Sequence, residues 1–132
     1  GHGQESFTLF YYSRTMETNT ALAALSALAQ PHRLAVFRHL VELGPDGAHP
    51  GDIAAALAIP PNTLSFHLKT LSHAGLVDAE PSGRHIRYRA NFARMQALVG
   101  FLTDNCCGGD ATRCAPVACA PAAPRRRATR RA

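Results

Sequence analysis

The sequence predicts a mainly α-helical domain that carries one small β-hairpin, with the element order α-α-α-α-β-β-α. Apolar residues recur three or four positions apart between residues 17 and 73 and again between residues 92 and 103, which is typical of amphipathic helices. Between these regions, two short strand-like stretches flank a cluster of turn-forming residues, which indicates a hairpin.

The amino-acid composition of residues 17–29 and the proline that follows them predict the first two helices. Glu17 to Ala29 is rich in Ala and Leu, and Asn19 or Thr20 is a candidate N-terminal cap. Pro31 follows this stretch and suits the first turn of a second helix, which we predict over Pro31 to Leu43. The apolar face of the second helix is predicted to contain Leu34, Val36, Phe37, Leu40 and Val41.

Two further helices are predicted on either side of a tight turn. The turn cluster Gly44 to Gly47 precedes a short third helix over about Pro50 to Ala58. Pro60-Pro61 then begins a fourth helix, which Gly75 is expected to terminate. The fourth helix has a polar side and, opposite to it, one apolar stripe formed by Leu64, Leu68 and Leu71.

The hairpin and the last helix complete the domain. Strands are predicted over Leu76 to Glu80 and Arg84 to Ala90, joined by a turn at Pro81-Ser82-Gly83. A final helix is predicted from Phe92 to about Thr103, with Asn91 as its cap. A short helix, a turn, a second helix and a hairpin form the layout of a winged helix-turn-helix, which we therefore predict.

The polar side of the fourth helix supplies candidate contacts to double-stranded DNA, since a helix fits the major groove, where base edges are distinguishable. Phe66 lies on that side without a core to fill, and we expect it to pack on thymine methyl groups. Contact with a neighbouring helix or a second subunit is the alternative. His67 flanks the stripe and is predicted to be a partly buried packing residue. The candidate DNA contacts of this helix are Asn62, Thr63, Ser65, Phe66 and Lys69.

Arginines on the hairpin extend this candidate surface. Arg84, Arg87 and Arg89 are placed to reach the phosphate backbone or the minor groove, unless they form an ordinary solvated face. We take Arg84 and Arg87 as DNA contacts. The net charge of +5 suits a polyanionic partner, but five arginines among the last eight residues account for the whole excess.

Four blocks of the sequence match one known pattern. They are Leu25 to Leu40, which contains Pro31-His32-Arg33-Leu34, then Asn62 to Lys69, Ala74 to Val77 and Gly83 to Arg89. Together they resemble the leading helices, the recognition helix and the wing of the ArsR/SmtB family of winged-helix repressors, over about residues 21–107.

The resemblance implies a homodimer that pairs through its first and last helices and binds a palindromic operator. It also implies release of the operator when an inducer binds. Two positions depart from the family pattern at the start of the fourth helix. Pro60 stands where a capping side chain is frequent, and Asn62 stands where proline is common.

Two inducer sites that are frequent in this family are disfavoured here. The start of the third helix, Gly51 to Ala54, contains no thiol. The last helix contains no histidine and only Asp104 near its end, so a zinc site of Asp and His is not expected. The remaining candidates are the cysteines, which are Cys106, Cys107, Cys114 and Cys119.

The cysteines indicate a site for a soft ion. Cys106, Cys107 and Cys114 can converge because Gly108 and Gly109 let the backbone fold back. Trivalent arsenic and antimony prefer three thiolates, and residues 101–107 resemble arsenic-responsive members of the family. We therefore predict As(III) or Sb(III) as inducer, with no organic cofactor and with Cys119 as a spare ligand.

Other interpretations of the cysteines stay open. They are incidental thiols, a disulfide switch, a four-thiolate zinc site, and an organic arsenical held by Cys106 and Cys107 alone.

We divide the chain into a leader or tag remnant (residues 1–15), the winged-helix domain (residues 16–105) and a flexible, cysteine-containing tail with an arginine-rich end (residues 106–132). No signal peptide or membrane span is found in the sequence, so we expect a cytoplasmic protein with reduced thiols.

The sequence thus predicts a DNA-binding repressor that releases its operator when arsenic or antimony binds its thiolates. A zinc- or redox-responsive repressor and a nonspecific basic DNA-binding protein are the alternatives. A thiol enzyme is disfavoured, because no partner base is evident.

Overall fold

The computed structural model describes residues 16–113. Within this range the helices and strands are, in chain order, α1 (Thr18–Leu28), α2 (Pro31–Leu43), α3 (Pro50–Leu57), α4 (Pro61–His73), β1 (Val77–Ser82), β2 (His85–Ala90) and α5 (Phe92–Leu102). Short 3-10 segments lie at Gly44–Asp46, Cys106–Gly109 and Ala111–Arg113. The predicted mainly α-helical fold with a β-hairpin wing is confirmed.

Helix ends agree with the predictions where a side chain supplies the cap. Asn91 caps α5 as predicted, because its side chain accepts a hydrogen bond from the backbone N–H of Arg94 at 2.9 Å. The predicted caps of α1 are wrong. Asn19 and Thr20 lie inside that helix, and the N-cap position is occupied by Glu17, which makes no capping side-chain bond. α3 ends one residue earlier than predicted, since Ala58 adopts a left-handed φ of +55°.

The turn of the wing lies one residue further along than predicted. β1 continues through Pro81 and Ser82, which pair with Ile86 and His85, so the turn consists of Gly83 and Arg84. Residues that flank a two-residue turn exchange hydrogen bonds and the next pair does not, so Pro81 is tolerated in the strand although it lacks an N–H.

The core lies between the helices and the first residues of the wing. Leu64, Leu68 and Leu71 are fully buried, which confirms the predicted stripe of α4. Leu34, which is predicted on the apolar face of α2, is 43% exposed, because it lies about 120° around the helix from the buried Leu40. None of the described helices has the length and apolar character needed to cross a bilayer.

Backbone pairing fixes the wing beside the start of α3. Ala48 and Tyr88 exchange two backbone hydrogen bonds, of 2.9 and 2.8 Å. Gly47 is required next to this pair, because a Cβ there would overlap the Tyr88 carbonyl group and because its φ is +66°. The wing therefore has a fixed position relative to the helix-turn-helix.

The end of α4 is attached to the start of α5. The Arg94 guanidinium donates a hydrogen bond to the Ala74 carbonyl at 3.3 Å, and the Asn91 N–H donates to the Leu76 carbonyl at 2.8 Å. Gly75 ends α4 as predicted, with φ +78°, and a Cβ at Gly75 would lie 2.8 Å from the Arg94 guanidinium. These contacts join the start of α5 to the end of α4.

Candidate nucleic-acid interface

The polar side of α4 and the wing together form an open cleft of about 490 Å³. Four of the seven predicted DNA contacts line it, and three further residues that were not chosen as contacts join them. The cleft residues are Asn62, Ser65, Phe66, Lys69, Ser72, His73 and Tyr88. Amide, hydroxyl, ammonium and aromatic groups thus converge on one concave face, and these groups can read base edges and hold phosphates.

Phe66 is the most exposed large apolar side chain of this face. It is 73% accessible, so no helix of the described protomer covers it. The burial of Leu64 and Leu68 on the other side of α4 holds Phe66 outward. An exposed phenylalanine among polar groups can contact thymine methyl groups, and this role stays a prediction, as does contact with a second subunit.

The start of α4 is stabilised without a capping residue. Pro60 occupies the N-cap position and makes no side-chain bond, as its departure from the family pattern suggests. The Asn62 carboxamide oxygen instead accepts a hydrogen bond from the Thr63 N–H at 3.0 Å. Thr63 is half-buried and is not among the residues that line the cleft, so of the predicted contacts on α4 it is the least accessible.

The two predicted arginine contacts lie in separate places. Arg84 is exposed in the turn and lines a second cleft, which contains the carboxyl group of Asp52 and shares Tyr88 with the first cleft. Arg87 is half-buried, and the cleft that it lines also contains the carboxyl groups of Asp46 and Asp52. Because Arg84 is exposed and Arg87 is half-buried, Arg84 is better placed to reach a phosphate.

The third arginine of the wing has a partner within the chain. Arg89 pairs with Glu80 across the hairpin at 3.4 Å, and both side chains are about half exposed. An exposed pair of this kind adds little to stability, but it offsets the positive charge of the wing on that side.

His67 behaves as the predicted packing residue. Its ring lies edge-to-face with that of His32, with centroids 5.5 Å apart, and its Nδ1 atom is buried without a hydrogen-bond partner in the described part of the chain. Burial lowers the pKa of His67, and the charge of Arg33 and then His32 lower it further. His67 therefore packs from α4 against His32 of α2, in surroundings that favour its neutral form.

Two of the three predicted thiol ligands lie side by side beyond the end of α5. The sulfur atoms of Cys106 and Cys107 are 3.6 Å apart, and both residues are exposed. Thiolates bound to one metal at about 2.3 Å and at angles of about 100–110° are roughly 3.5–3.8 Å apart, so this spacing fits a shared soft ion. Because both residues are exposed, an ion in solvent can reach both sulfur atoms.

The backbone after these thiols turns back on itself. Asn105 and Cys107 have left-handed φ angles of +57° and +55°, and Gly108 and Gly109 continue at +68° and +86°. Left-handed conformations cost non-glycine residues about 1–2 kcal/mol each, so this reversal is held against a local preference. It brings the Arg113 carbonyl oxygen to 3.7 Å from the Cys107 sulfur.

The third predicted ligand lies outside the described residues. Cys114 follows Arg113 directly in the sequence, and Cys119 lies further on. Within residues 16–113, no three His, Cys, Asp or Glu side chains converge as a metal site would require. The Asp110 carboxylate nearby accepts hydrogen bonds from the side chain and backbone of Thr112, which lower the pKa of Asp110.

Comparison with known proteins agrees with the fold. A family model described as a helix-turn-helix domain matches residues 28–80. The HTH-type transcriptional regulator CmtR of Mycobacterium bovis is 38% identical over 84 residues, which are 63% of this chain and 69% of CmtR. The regulator of the same name from Mycobacterium tuberculosis matches to the same extent.

Solved structures give the same result. An ArsR-like transcriptional regulator from Rhodococcus sp. RHA1 has a TM-score of 0.59 at 27% identity, covering 72% of this chain and 85% of that one. The homodimeric winged helix-turn-helix DNA-binding domain of Mb0332 from Mycobacterium bovis, a possible ArsR-family regulator, has a TM-score of 0.53 at 29% identity, covering 66% of this chain and 81% of that one.

The wing, the buried stripe of α4 and its exposed polar face define a winged helix-turn-helix DNA-binding protein. The similarity to CmtR and to ArsR-type structures identifies the family within this class of protein. The chain belongs to the ArsR family of winged helix-turn-helix transcriptional regulators.

We expect Lys69 and Phe66 to contribute differently to DNA binding. Lys69→Gln should reduce the slope of log K against log salt concentration by about 1 for every sequence tested. Phe66→Ala should leave that slope unchanged and lower affinity for the cognate site by roughly tenfold, within the range for one specific base contact. Fluorescence anisotropy at several salt concentrations measures both effects.

The matched control is Thr70→Ala, because the Thr70 hydroxyl is already bonded within α4 to the Phe66 carbonyl at 3.1 Å. Its affinity and slope should equal those of the unmodified protein. A Phe66→Ala protein with full affinity for the cognate site would show that Phe66 does not contact DNA.

We expect the stability of the protein to fall in acid partly through His67. The folded-state pKa of His67 is lowered, so the unfolded chain binds the proton more readily below about pH 6.5. The free energy of unfolding should therefore decrease as the pH falls from about 7 to about 5. His67→Gln should show a shallower decrease than the unmodified protein in urea titrations. Equal slopes for the two proteins would contradict this origin.

Proposed function

We propose that this regulator is a homodimeric repressor that binds a palindromic operator and releases it when trivalent arsenic or antimony is bound by Cys106, Cys107 and Cys114. The observation that carries the proposal is the 3.6 Å separation of two exposed sulfurs directly after α5. Soft thiolates select soft ions over oxygen-loving ones such as magnesium. A cytoplasmic location would keep these thiols reduced.

Exposed leucines on the terminal helices support a dimer. Leu22 on α1 is 56% exposed and Leu102 on α5 is 59% exposed, and Leu25 is also exposed on α1. α1 and α5 contact each other in the protomer, so their outer faces can form one continuous apolar surface. The homodimeric Mb0332 domain offers a precedent for such pairing.

The position of the thiols supports a route from ligand to DNA. They lie beyond the last turn of α5, the helix that we assign to the dimer interface. The other end of α5 holds the end of α4 through Arg94 and Asn91. Recruitment of Cys114 to an ion held by Cys106 and Cys107 would act on the end of α5 and change the separation of the two recognition helices, which must match successive major grooves.

An exposed pair of neighbouring thiols also supports a second candidate. Oxidation of Cys106 or Cys107 with a further cysteine would make the same fold redox-responsive. A four-thiolate zinc site would again use this pair. The relatives are transcriptional regulators, so we propose no catalytic role for the thiols.

Replacing both neighbouring thiols should separate DNA binding from sensing. Cys106→Ser with Cys107→Ser should keep the operator affinity within about twofold, because neither residue lies in the cleft between α4 and the wing, and should abolish release by arsenite. A mobility shift on the chain's own upstream DNA, with arsenite, methylarsenite, antimonite, zinc and peroxide in parallel, measures this.

Cys119→Ser is the control and should still release DNA with arsenite. Release of the double variant by arsenite would contradict the thiol assignment. Release of the unmodified protein by zinc or peroxide alone would favour the second candidate. A footprint without sequence preference would indicate a nonspecific DNA-binding protein instead.

Charged substitutions on the outer faces of α1 and α5 should prevent dimer formation. Leu22→Glu with Leu102→Glu should give a folded monomer in sedimentation, because both side chains are already solvent-exposed in the protomer. Leu43→Glu, at a leucine that is 42% exposed on α2, is the matched control and should remain dimeric. A dimeric double variant would exclude the α1 and α5 surface as the interface.

A further inference from the structure

Tyr88 lies where two clefts of the candidate interface meet. The first cleft, between α4 and the wing, is lined by Lys69 and Tyr88 among others, and the second, of about 540 Å³, is lined by Arg84 and Tyr88 among others. Of all the residues that line these two clefts, Tyr88 alone lines both. A DNA strand that is bound by the recognition helix and by the turn of the wing would therefore pass over Tyr88.

The charges of the two clefts favour a phosphate group beside Tyr88. Among the described residues that line the first cleft, none carries a carboxyl group, and Lys69 supplies a positive charge. The second cleft contains the Arg84 guanidinium but also the carboxyl group of Asp52. Because Asp52 repels an anion inside the second cleft, a phosphate is better accommodated where the two clefts meet.

Tyr88 is held in place before DNA binds. Its backbone exchanges two hydrogen bonds with Ala48, of 2.9 and 2.8 Å, and Gly47 permits the close approach of the two chain segments. The residue is half-buried and packs against the hydrophobic core. Since its backbone and ring are already ordered, little conformational entropy is lost when the side chain makes a further contact.

The hydroxyl group of Tyr88 has the capacity for such a contact. Within residues 16–113 this hydroxyl makes no hydrogen bond. It is not enclosed either, because the only side-chain polar atom that is buried without a partner in this range is Nδ1 of His67. A tyrosine hydroxyl is a neutral donor, and tyrosine is one of the residue types that contact DNA phosphates.

We propose that Tyr88 binds the sugar–phosphate backbone of the operator, with its hydroxyl donating a hydrogen bond to a phosphate oxygen between the groove read by α4 and the phosphate contact predicted for Arg84. This contact positions the duplex on the protein, since a bond to phosphate fixes the register without a preference for any base. The proposal rests on the operator binding in the proposed function and is independent of the thiols and the inducer.

Tyr88→Phe removes only the hydroxyl group and so tests this contact. In fluorescence anisotropy without inducer, affinity should fall by about tenfold for the cognate site and for unrelated DNA alike, as expected for one hydrogen bond to a charged group. The slope of log K against log salt concentration should not change, because a neutral hydroxyl releases no counterions.

Stability and a second hydroxyl deletion provide the controls. The thermal unfolding midpoint of Tyr88→Phe should equal that of the unmodified protein, because the hydroxyl makes no bond within the described range. Thr70→Ala, which removes a hydroxyl already bonded within α4, should bind both DNAs with full affinity. A lower midpoint for Tyr88→Phe would show that its hydroxyl acts within the fold and would overturn the proposal.

Ethylation interference on the chain's own upstream DNA locates the phosphate. An ethylated phosphate beside the groove bound by α4 should weaken binding of the unmodified protein and of Thr70→Ala, but should weaken Tyr88→Phe less, because that variant has already lost the contact. Full affinity of Tyr88→Phe, a loss confined to the cognate site, or an interference pattern equal to that of the unmodified protein would each overturn the role of Tyr88. An unmodified protein without a sequence-dependent footprint would instead contradict the proposed operator binding, so the two failures are distinguishable.

Discussion

Burial of one leucine stripe determines which way the recognition helix presents its side chains. Leu64, Leu68 and Leu71 fill the core, and their spacing leaves the opposite side of α4 facing outward. The exposure of Phe66 and the cleft between α4 and the wing both follow from this burial. Rotating α4 by one residue, about 100°, would expose leucine and bury polar groups. The packing of the core therefore also determines which side chains of α4 can face DNA.

Local signals in the sequence predicted most of the fold. Asn91 and Gly75 act at the helix ends through their own side chain or backbone, so a short sequence window contains the information. Leu34 is apolar but exposed, and its residue type alone does not reveal which side of α2 the neighbouring elements cover. Pro81 is predicted in the turn because proline, serine and glycine are typical turn residues. Strand pairing tolerates Pro81, because at that position the backbone does not have to donate a hydrogen bond.

The candidate interface was predictable only in part. The helical wheel of α4 predicted Asn62, Ser65, Phe66 and Lys69, which the cleft brings together. Tyr88 joins them because the wing is held against the start of α3 by pairing over a long sequence separation, which no local pattern encodes. The thiol pair is evident from the sequence, because Cys106 and Cys107 are consecutive residues. The return of the chain at Arg113 depends on left-handed backbone angles and on hydrogen bonds that only the structure shows.

Because the start of α5 is attached to the end of α4, a movement at one end of α5 can be transmitted to the other end. Its 11 residues span about 16 Å, with the contact between Arg94 and Ala74 near one end and the thiol pair beyond the other. A tilt of only a few degrees at the thiol end would displace the far end by about 1 Å over that length. The hydrogen bonds of Arg94 to the Ala74 carbonyl and of the Asn91 N–H to the Leu76 carbonyl connect this end of α5 to the segment that follows the recognition helix. Movement of α5 would therefore act first on the end of the recognition helix.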